Sequence, residues 1–179
     1  MKSRTVEVEI EGLVPYLMHR FASETADAKA TRKSGRKNYE DEVGDALYKD
    51  KHGTIFIPAT QIEGCLVKAS TDYQIPGKGK KTYKDLCRSA IVVSPDKIPI
   101  EPQDWETDAR SVLVQRSRVI RYRPKWEDWK LKFRIDVLDD QFPTEILHDI
   151  LETGGLYRGI GDFRPKFGRF AVTSFAEVQ

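Results

Sequence analysis

The sequence has few of the residues that mark a secreted, metal-binding or membrane-spanning protein. It contains 2 Cys and 3 His in 179 residues, too few for a disulfide framework or a structural zinc site. Cys65 and Cys87 are therefore expected to be reduced, partly buried thiols in a cytoplasmic protein. The uncharged stretch at 12–18 is too short for a membrane span and lacks the flanks of a signal peptide. We expect no membrane contact.

Motifs of catalysis are absent as well. The chain has no G-x-S-x-G nucleophile motif, no HExxH zinc motif and no EF-hand loop. Carboxylates that are adjacent in sequence, as at 127–128 and 139–140, would face opposite ways on a strand, so they do not predict a paired-carboxylate site. We therefore expect no cofactor and no metal ion.

Charged residues are plentiful, and the cations are unevenly distributed. The chain carries 30 Lys+Arg against 28 Asp+Glu, a formal net charge of +2. The cations form four runs that contain no acidic residue: 29–37, 78–84, 110–125 and 163–170. The acidic residues collect in three other segments: 40–45, 101–108 and 136–140. Segregated basic runs present a strong local field to a polyanion, although each run alone is more simply a solvated loop.

The hydrophobic pattern predicts an α+β fold. Residues 5–11 and 130–137 alternate apolar and charged side chains, as half-buried strands do. Thr60 and Glu63 have capping-box spacing at the start of one helix, and 143–153 has the apolar face of another. Further strands are expected at 54–58, 90–93, 98–100 and 168–178. This order, β-α-β-β-α-β with insertions, is the ferredoxin-like or RRM-like pattern with an antiparallel sheet.

Two insertions interrupt this pattern within one expected domain over 1–179. Residues 20–52 lack apolar periodicity and carry both charge signs, which predicts a long surface insertion after the first strand. The second insertion, at about 103–130, is expected to protrude as a β-hairpin.

The hairpin is predicted from the alternating residues of 111–138. Its connector is expected at 123–129, which would place Trp126 near the tip beside Arg123. There the indole could stack on a base, although packing beneath the loop is an equal alternative.

A glycine-rich segment at 154–169 is the strongest functional signal. Its five glycines alternate with aromatic residues and with four cations: Arg158, Arg164, Lys166 and Arg169. Glycines let backbone amides approach an anion, cations neutralise phosphates, and aromatic rings stack on bases. We predict a loop that holds a sugar-phosphate strand; the alternative is a turn that only joins a helix to a strand. A Rossmann or Walker loop runs from a strand into a helix, which is the reverse order.

The motif G-x-G-D-x-R-P-x-F-G-R-F at 159–170 resembles the glycine-rich loop of the RAMP superfamily, the RRM-like proteins of CRISPR effector complexes. GLVPYLMHRF at 12–21 is similar to the family's strand-to-loop entry, and IFIPATQIEGCLVKAS at 55–70 resembles its first-helix entry. The resemblance touches about half of the chain, and only the C-terminal motif is specific. It is closest to a small, diverged backbone subunit that coats crRNA in antiviral defence.

The resemblance implies a non-catalytic subunit that binds single-stranded RNA and assembles side by side into a ribonucleoprotein complex. The insertion and the hairpin would act as finger and thumb along the strand. The implied partners are a crRNA-like guide, a target strand, copies of the chain itself and other effector subunits. The candidate nucleic-acid contacts are His19, Arg20, Lys29, Arg32, Lys33, Arg116, Arg118, Arg121, Arg123, Trp126, Gly159, Gly161, Arg164, Lys166 and Arg169.

An enzyme is the alternative from a different class. Processing endonucleases of the superfamily use a His near the first helix as a general acid or base, and such RNA cleavage needs no metal. His19 is the weak catalytic candidate for a metal-independent endoribonuclease, while a phosphate or subunit contact is its simpler role. His52 lies in a charged turn and His148 within a predicted helix, so both are interpreted as structural. A plain interaction module without nucleic acid is the third possibility.

Overall fold

The computed structural model of the chain describes residues 3–20, 43–114 and 116–178. Its strands are β1 (Arg4–Gly12), β2 (Tyr16–Leu17), β3 (Phe56–Pro58), β4 (Ile91–Ser94), β5 (Lys97–Pro99), β6 (Glu106–Val114), β7 (Ser117–Trp126), β8 (Lys130–Val137) and β9 (Phe170–Val178). Its helices are α1 (Ala59–Ala69), α2 (Lys84–Ala90) and α3 (Thr144–Thr153), and one π-helical turn, Gly154–Arg158, continues α3. Within these ranges, no helix combines the length and the apolar character that a bilayer crossing requires.

The fold is α+β and ferredoxin-like, as the sequence pattern predicts. The central sheet has the order β4-β8-β1-β9, and each neighbouring pair is antiparallel. Along the chain its strands and the two helices that cover it follow the order β1-α1-β4-β8-α3-β9. This is the β-α-β-β-α-β arrangement of RRM-like domains.

One face of the central sheet forms the hydrophobic core. Alternate residues of β1 and β8 point inward because side chains of a strand alternate between its two faces. They meet the apolar faces of α1 and α3, and each buried aliphatic side chain contributes roughly 1.5–3 kcal/mol. The fully buried members include Val6, Ile10, Ile62, Leu66, Leu131, Ile135, Leu147 and Ile150.

The other face of the sheet is covered by ion pairs between neighbouring strands. The Lys132 ammonium lies 2.6 Å from a Glu9 carboxylate oxygen, and an Arg134 guanidinium nitrogen lies 2.8 Å from Glu7. The sequence predicts a cationic outer face for β8, but the glutamates of β1 neutralise it. Cross-strand pairs of opposite charge stabilise a sheet by a few tenths of a kcal/mol each, about 0.2–1.

The hairpin belongs to a second antiparallel sheet with the order β2-β7-β6. β6 and β7 pair from Glu106 and Lys125 to Val114 and Ser117, so the hairpin closes between Val114 and Ser117. The predicted connector at 123–129 is therefore wrong, because its first half completes β7 and β8 pairs with β1 instead. Arg116 occupies the turn with φ 70, a conformation that glycine or asparagine usually marks.

The start of α1 also differs from the prediction. Pro58 is the N-cap residue and no side chain caps the helix. The carboxylate of Glu63 instead accepts the amide of Val93 at 3.1 Å, which fastens α1 to β4. The prediction of a capping box was wrong because the Glu63 carboxylate bonds to the backbone of β4 instead of to the start of its own helix.

Candidate nucleic-acid interface

Three of the segments predicted to contact nucleic acid meet at the two-residue strand β2. On one side β2 pairs with the end of β7, at the base of the hairpin. On the other side the carbonyl of Leu17 accepts the amide of Asp162 at 2.9 Å, and Pro15 accepts the amide of Gly168 at 2.8 Å. We call residues 159–169 the glycine loop. The short strand therefore joins the glycine loop to the hairpin.

Glycines of this loop are required by close packing on its own chain. Gly161 and Gly168 have φ values of 80 and 77, which L side chains rarely adopt. A Cβ on Gly161 would lie 2.3 Å from the ring of Tyr16, and one on Gly168 would lie 1.7 Å from the carbonyl oxygen of Ile160. A substitution at Gly161 would force the loop away from β2, and one at Gly168 would distort the loop itself.

The loop amides are used internally more than the sequence suggests. Gly159 donates its amide to the carbonyl of Gly154 at 2.8 Å, and Ile160 donates to Gly168 at 2.9 Å. The prediction that Gly159 offers its amide to a phosphate is therefore wrong. Position 161 requires glycine because any Cβ there would clash with Tyr16. The presence of a glycine at this position is therefore no argument for a bound ligand.

The side chains of the loop differ in accessibility. Arg164 and Lys166 are exposed, and the ring of Phe163 is 41% exposed. Arg169 is half-buried, and its Nε is buried with no partner in the described part of the chain. Just before the loop, Arg158 pairs with Asp72 at 2.7 Å. The loop thus presents two exposed cations beside an exposed aromatic ring.

An ion pair holds the hairpin base against the loop. Arg123 is 7% exposed and its Nε lies 2.5 Å from Asp162. Neither atom has a partner in hydrogen-bond geometry within the described ranges, so the contact is mainly Coulombic. The guanidinium also lies 5.9 Å from the ring centroid of Phe163. The prediction of Arg123 as a phosphate contact is therefore wrong: it positions the loop.

A second contact between hairpin and loop lies two cross-strand pairs further along. The guanidinium of Arg110 lies 4.4 Å from the ring centroid of Phe167 and its Nε lies 2.8 Å from Asp108. Cation–π contacts of this kind contribute about 0.5–2 kcal/mol. Together with Arg123, this contact fixes the angle at which the hairpin leaves the body of the protein.

Trp126 is not at a hairpin tip. It lies at the end of β7, is 1% exposed, and donates its indole N–H to the carbonyl of Pro102 at 2.9 Å. Its ring packs against Tyr16, with centroids 5.9 Å apart. The prediction that Trp126 stacks on a base is wrong, because the indole is part of the core beneath β2.

The cations near the hairpin tip remain accessible. Arg116 and Arg118 are exposed and Arg121 is half-buried. Leu113 and Ile120 are 72% and 54% exposed on the same hairpin. The tip therefore combines positive charge with exposed aliphatic side chains.

Two further predicted contacts follow β2 directly. His19 and Arg20 are exposed, and the amide of Arg20 donates to the carbonyl of Ala46 at 2.9 Å. This places both side chains a few residues from the contact between β2 and the glycine loop. The remaining predicted cations lie outside the described residues: Lys29, Arg32 and Lys33.

Other titratable groups have structural environments. Burial raises the pKa of the Tyr16 phenol, which donates to Gln61 at 3.0 Å. Burial also raises the pKa of the Cys65 thiol to about 12 and that of Cys87 to about 11. These groups are held neutral, so they supply neither a base nor a thiolate nucleophile at neutral pH.

One group of possible metal ligands lies on α3. His148, Asp149 and Glu152 each place a ligand atom within 4.8 Å of the others. The His148 ring also makes an edge contact with Phe175 at 4.8 Å between centroids. The cluster is exposed on a helix surface and involves no residue of the glycine loop.

Sequence reasoning missed the residues that position the site. Asp162 and Arg110 were not candidates, yet they connect the loop to the hairpin. The only signal for Asp162 is its place in the motif G-x-G-D, where an acid stands among cations. Its partner on a distant strand cannot be read from spacing.

Comparisons with known proteins support the fold. No protein-family model matches the chain, and no curated protein matches it. A chain in the cryo-EM structure of the Type III-B Cmr-beta bound to cognate target RNA is similar, with a TM-score of 0.59 at 15% sequence identity. The similarity covers 99% of this chain and 61% of that chain. At this identity the likeness shows a shared fold.

Proposed function

We propose that this protein is a non-catalytic subunit that binds single-stranded RNA, as a guide strand, and assembles side by side in a CRISPR-type effector complex. The observation that carries the proposal is the meeting of the glycine loop, the hairpin base and residues 19–20 at β2. The segments that meet there carry exposed cations and an exposed ring, the residue types that sequence-tolerant binding of a single strand uses.

The chemistry of binding is neutralisation of phosphates with a stacking contact. Arg164 and Lys166 would contact phosphates, and the exposed face of Phe163 would accept a base. Arg116 and Arg118 would extend the track along the hairpin. The Arg123–Asp162 pair would keep loop and hairpin in one orientation, so that less ordering is needed on binding.

The shared fold gives independent support for RNA as the ligand class. The similar chain belongs to an assembly whose structure contains a cognate target RNA. The motif at 159–170 resembles the loop of RNA-binding subunits and coincides with the region of exposed cations. The motif and the shared fold therefore favour the same class of ligand, and the motif alone points to this surface.

Salt-dependent RNA binding tests the proposal. Fluorescence anisotropy would follow a labelled poly(U) strand of about 12 nucleotides, within the range that single binding domains cover. We expect the logarithm of the affinity to fall linearly with the logarithm of salt, by about 0.7 per phosphate contact. Binding of a duplex of the same length is the control. Affinity that is independent of salt, or no preference for the single strand, would contradict the proposal.

Endoribonuclease activity centred on His19 is the second candidate, because His19 is exposed close to the loop. A cleavage assay on a labelled repeat-containing RNA in EDTA separates the two functions. Cleavage that is lost in His19→Ala would favour the enzyme. Binding without cleavage, unchanged in stoichiometry in His19→Ala, would favour the coat subunit.

A further inference from the structure

A second cationic surface lies on the helical side of the fold, between α1 and α2. This helix groove has a volume of about 740 Å³. Four cations from three segments line it: Lys68, Lys84, Arg88 and Arg158. The one carboxylate in its lining is Glu63, which already accepts the amide of Val93. Within the described ranges only Arg158 among these cations has an ion-pair partner, Asp72.

One residue that lines the groove is a glycine that no packing contact within the described residues requires. Gly64 lies in the middle of α1, and a Cβ there would have no heavy atom within 4 Å. Its backbone has no positive φ, and glycine disfavours a helix interior relative to alanine. A helical glycine that faces open space leaves room for another surface to approach the backbone closely.

The floor of the groove suits a protein better than a nucleic acid. It is formed by Val67, Cys87 and Ile91, and no aromatic residue is among the residues that line it. A single-stranded nucleic acid usually stacks its bases on aromatic rings. Aliphatic floor and cationic rim together fit an acidic protein surface.

The chain itself carries such a surface at the base of the hairpin. Four exposed carboxylates from two neighbouring segments, 104–106 and 127–128, form this acidic edge: Asp104, Glu106, Glu127 and Asp128. Lys125 lies 3.4 Å from Glu106 and 3.0 Å from Glu127, which places the two segments side by side. One lysine does not balance four acids, so the edge stays negative.

The groove and the acidic edge lie toward opposite ends of the central sheet. At one end Lys130, the first residue of β8, bridges to Glu101 beside the acidic edge. At the other end Val137, the last residue of β8, pairs with Ile91 on the floor of the groove. Eight residues of strand separate these points by about 23 Å. Surfaces of opposite charge at opposite ends permit head-to-tail addition of identical copies.

We propose that the helix groove of one copy receives the acidic edge of the next copy. The contact is heterologous, so it leaves a groove at one end of the assembly and an acidic edge at the other, and copies can continue to add. Opposite charges would steer the encounter and fix its register. The proposal rests on the side-by-side assembly proposed above and names the surfaces that make it. Its test measures assembly on an RNA strand.

Paired charge reversals test this contact. One variant reverses the groove, Lys84→Glu with Arg88→Glu, and the other reverses the edge, Asp104→Lys with Asp128→Lys. Each is titrated onto a labelled poly(U) of about 8 nucleotides, which holds one copy, and onto one of about 48 nucleotides, which holds several. We expect each variant alone to lose about tenfold in apparent affinity on the long strand relative to the short one, because neighbour contacts raise the effective concentration.

Mixing the two variants restores the complementary charges. The glutamates of the reversed groove then face the lysines of the reversed edge, and the two native surfaces face each other. We expect an equimolar mixture to regain cooperative binding on the long strand. Unchanged cooperativity in both variants would overturn the proposal, as would loss in the groove variant alone, which would mean a different occupant.

The short strand separates this contact from the proposed function. Wild-type protein that binds neither strand would refute RNA binding itself. Wild-type protein that binds both strands without cooperativity would leave RNA binding intact and overturn the groove contact.

Gly64→Gln supplies a test that does not depend on charge. The side chain would fill the groove and replace glycine in a helix, so we expect Tm to rise by about 2–4 °C. The same variant should lose about tenfold in affinity on the long strand while the short strand binds normally. Gly64→Ala is the matched control, with a similar rise in Tm and a smaller loss. Cooperative binding by Gly64→Gln equal to that of wild type would overturn the proposal.

Discussion

The outer face of the sheet and the glycine loop carry similar cations in opposite electrostatic settings. On the sheet, Lys132 and Arg134 lie within 2.8 Å of glutamate oxygens. On the loop, Arg164 and Lys166 are exposed, and no described carboxylate forms an ion pair with either. In the sequence both regions are basic residues alternating with apolar ones. The difference teaches that the pairing of cations, rather than their number, determines which surface can attract an anion.

The outer face of the sheet also differs from the sheet surface that many RRM domains use to bind RNA. Many RRM domains stack bases on aromatic residues of the sheet surface. Here the outward positions of β1 are Glu7, Glu9 and Glu11, and those of β8 are their cationic partners. On these two strands, an outer face without aromatic rings and without net positive charge offers a nucleic acid little. The candidate interface of this protein is therefore the region around the glycine loop, and not the outer face of the sheet.

Breaking the ion pair at the hairpin base should have the largest effect. In Asp162→Asn the guanidinium of Arg123 would stay buried without a counter-charge, at a cost of about 2–3 kcal/mol after allowance for the 33% exposure of the Asp162 side chain. We expect Tm to fall by about 4–10 °C in a thermal unfolding experiment. The control Glu9→Gln breaks an exposed pair and should lower Tm much less, because solvent screens such a pair. Equal losses in both variants would mean that burial does not distinguish these pairs.

Neutralising the two loop cations should have the next largest effect, on RNA affinity. Arg164→Gln with Lys166→Gln should lower affinity for single-stranded RNA by about 10–100-fold and reduce the salt slope by about 1.4. The matched change on the sheet, Lys132→Gln with Arg134→Gln, removes the same charge and should leave both quantities nearly unchanged. Anisotropy titrations at several salt concentrations measure both. A similar loss in the sheet variant would show that total charge matters and pairing does not.

A smaller effect is expected at the hairpin tip. Arg116→Gln with Arg118→Gln should weaken RNA binding about three- to tenfold, because the tip contacts the strand only at one end of the site. Lys78→Gln with Lys80→Gln changes another exposed basic run by the same charge and serves as the control. If the control loses as much affinity as the tip variant, the hairpin is not part of the interface.

The smallest effect is expected on the pH dependence of Tm, through the ion pairs on the outer face of the sheet. A hydrogen bond from Lys132, reinforced by its charge, lowers the pKa of Glu9 from 4.5. A carboxyl with a lowered pKa in the folded state contributes stability above its unfolded pKa and loses it as pH falls through the lower value. Tm of wild type and Glu9→Gln should therefore differ near neutral pH and converge below pH 4.5. Curves that stay parallel down to acid pH would contradict this role for Glu9.

Much of the fold could be read from the sequence because its strands and helices are amphipathic. The alternation at 5–11 and 130–137 gave two central strands, and the apolar face at 143–153 gave α3. The hairpin register was misread because its turn has no Gly, Pro or Asn, and because Pro124 lies within β7 opposite Thr107. A proline usually argues against a paired strand position. Local signals were misleading where tertiary contacts decided the outcome.

The meeting of the glycine loop and the hairpin base at β2, next to residues 19–20, was not predicted from the sequence. Two of the individual side chains also lie in other environments than expected. Arg123 and Trp126 were expected to face a ligand and are buried at the hairpin base. A basic or aromatic side chain in a sequence does not reveal whether its partner is a phosphate or an aspartate from a distant loop.

The narrow attachment of the hairpin has a mechanical consequence. β6 spans nine residues, or about 30 Å, while β2 contributes only two residues to its base. A small rotation at β2 would therefore cause a large displacement of the hairpin tip, and the contact between Arg123 and Asp162 restrains that rotation. A rotation of about 10° at β2 would move the tip by about 5 Å over a length of this size. Under the proposed function, a ligand bound beside β2 would therefore shift the far end of the hairpin.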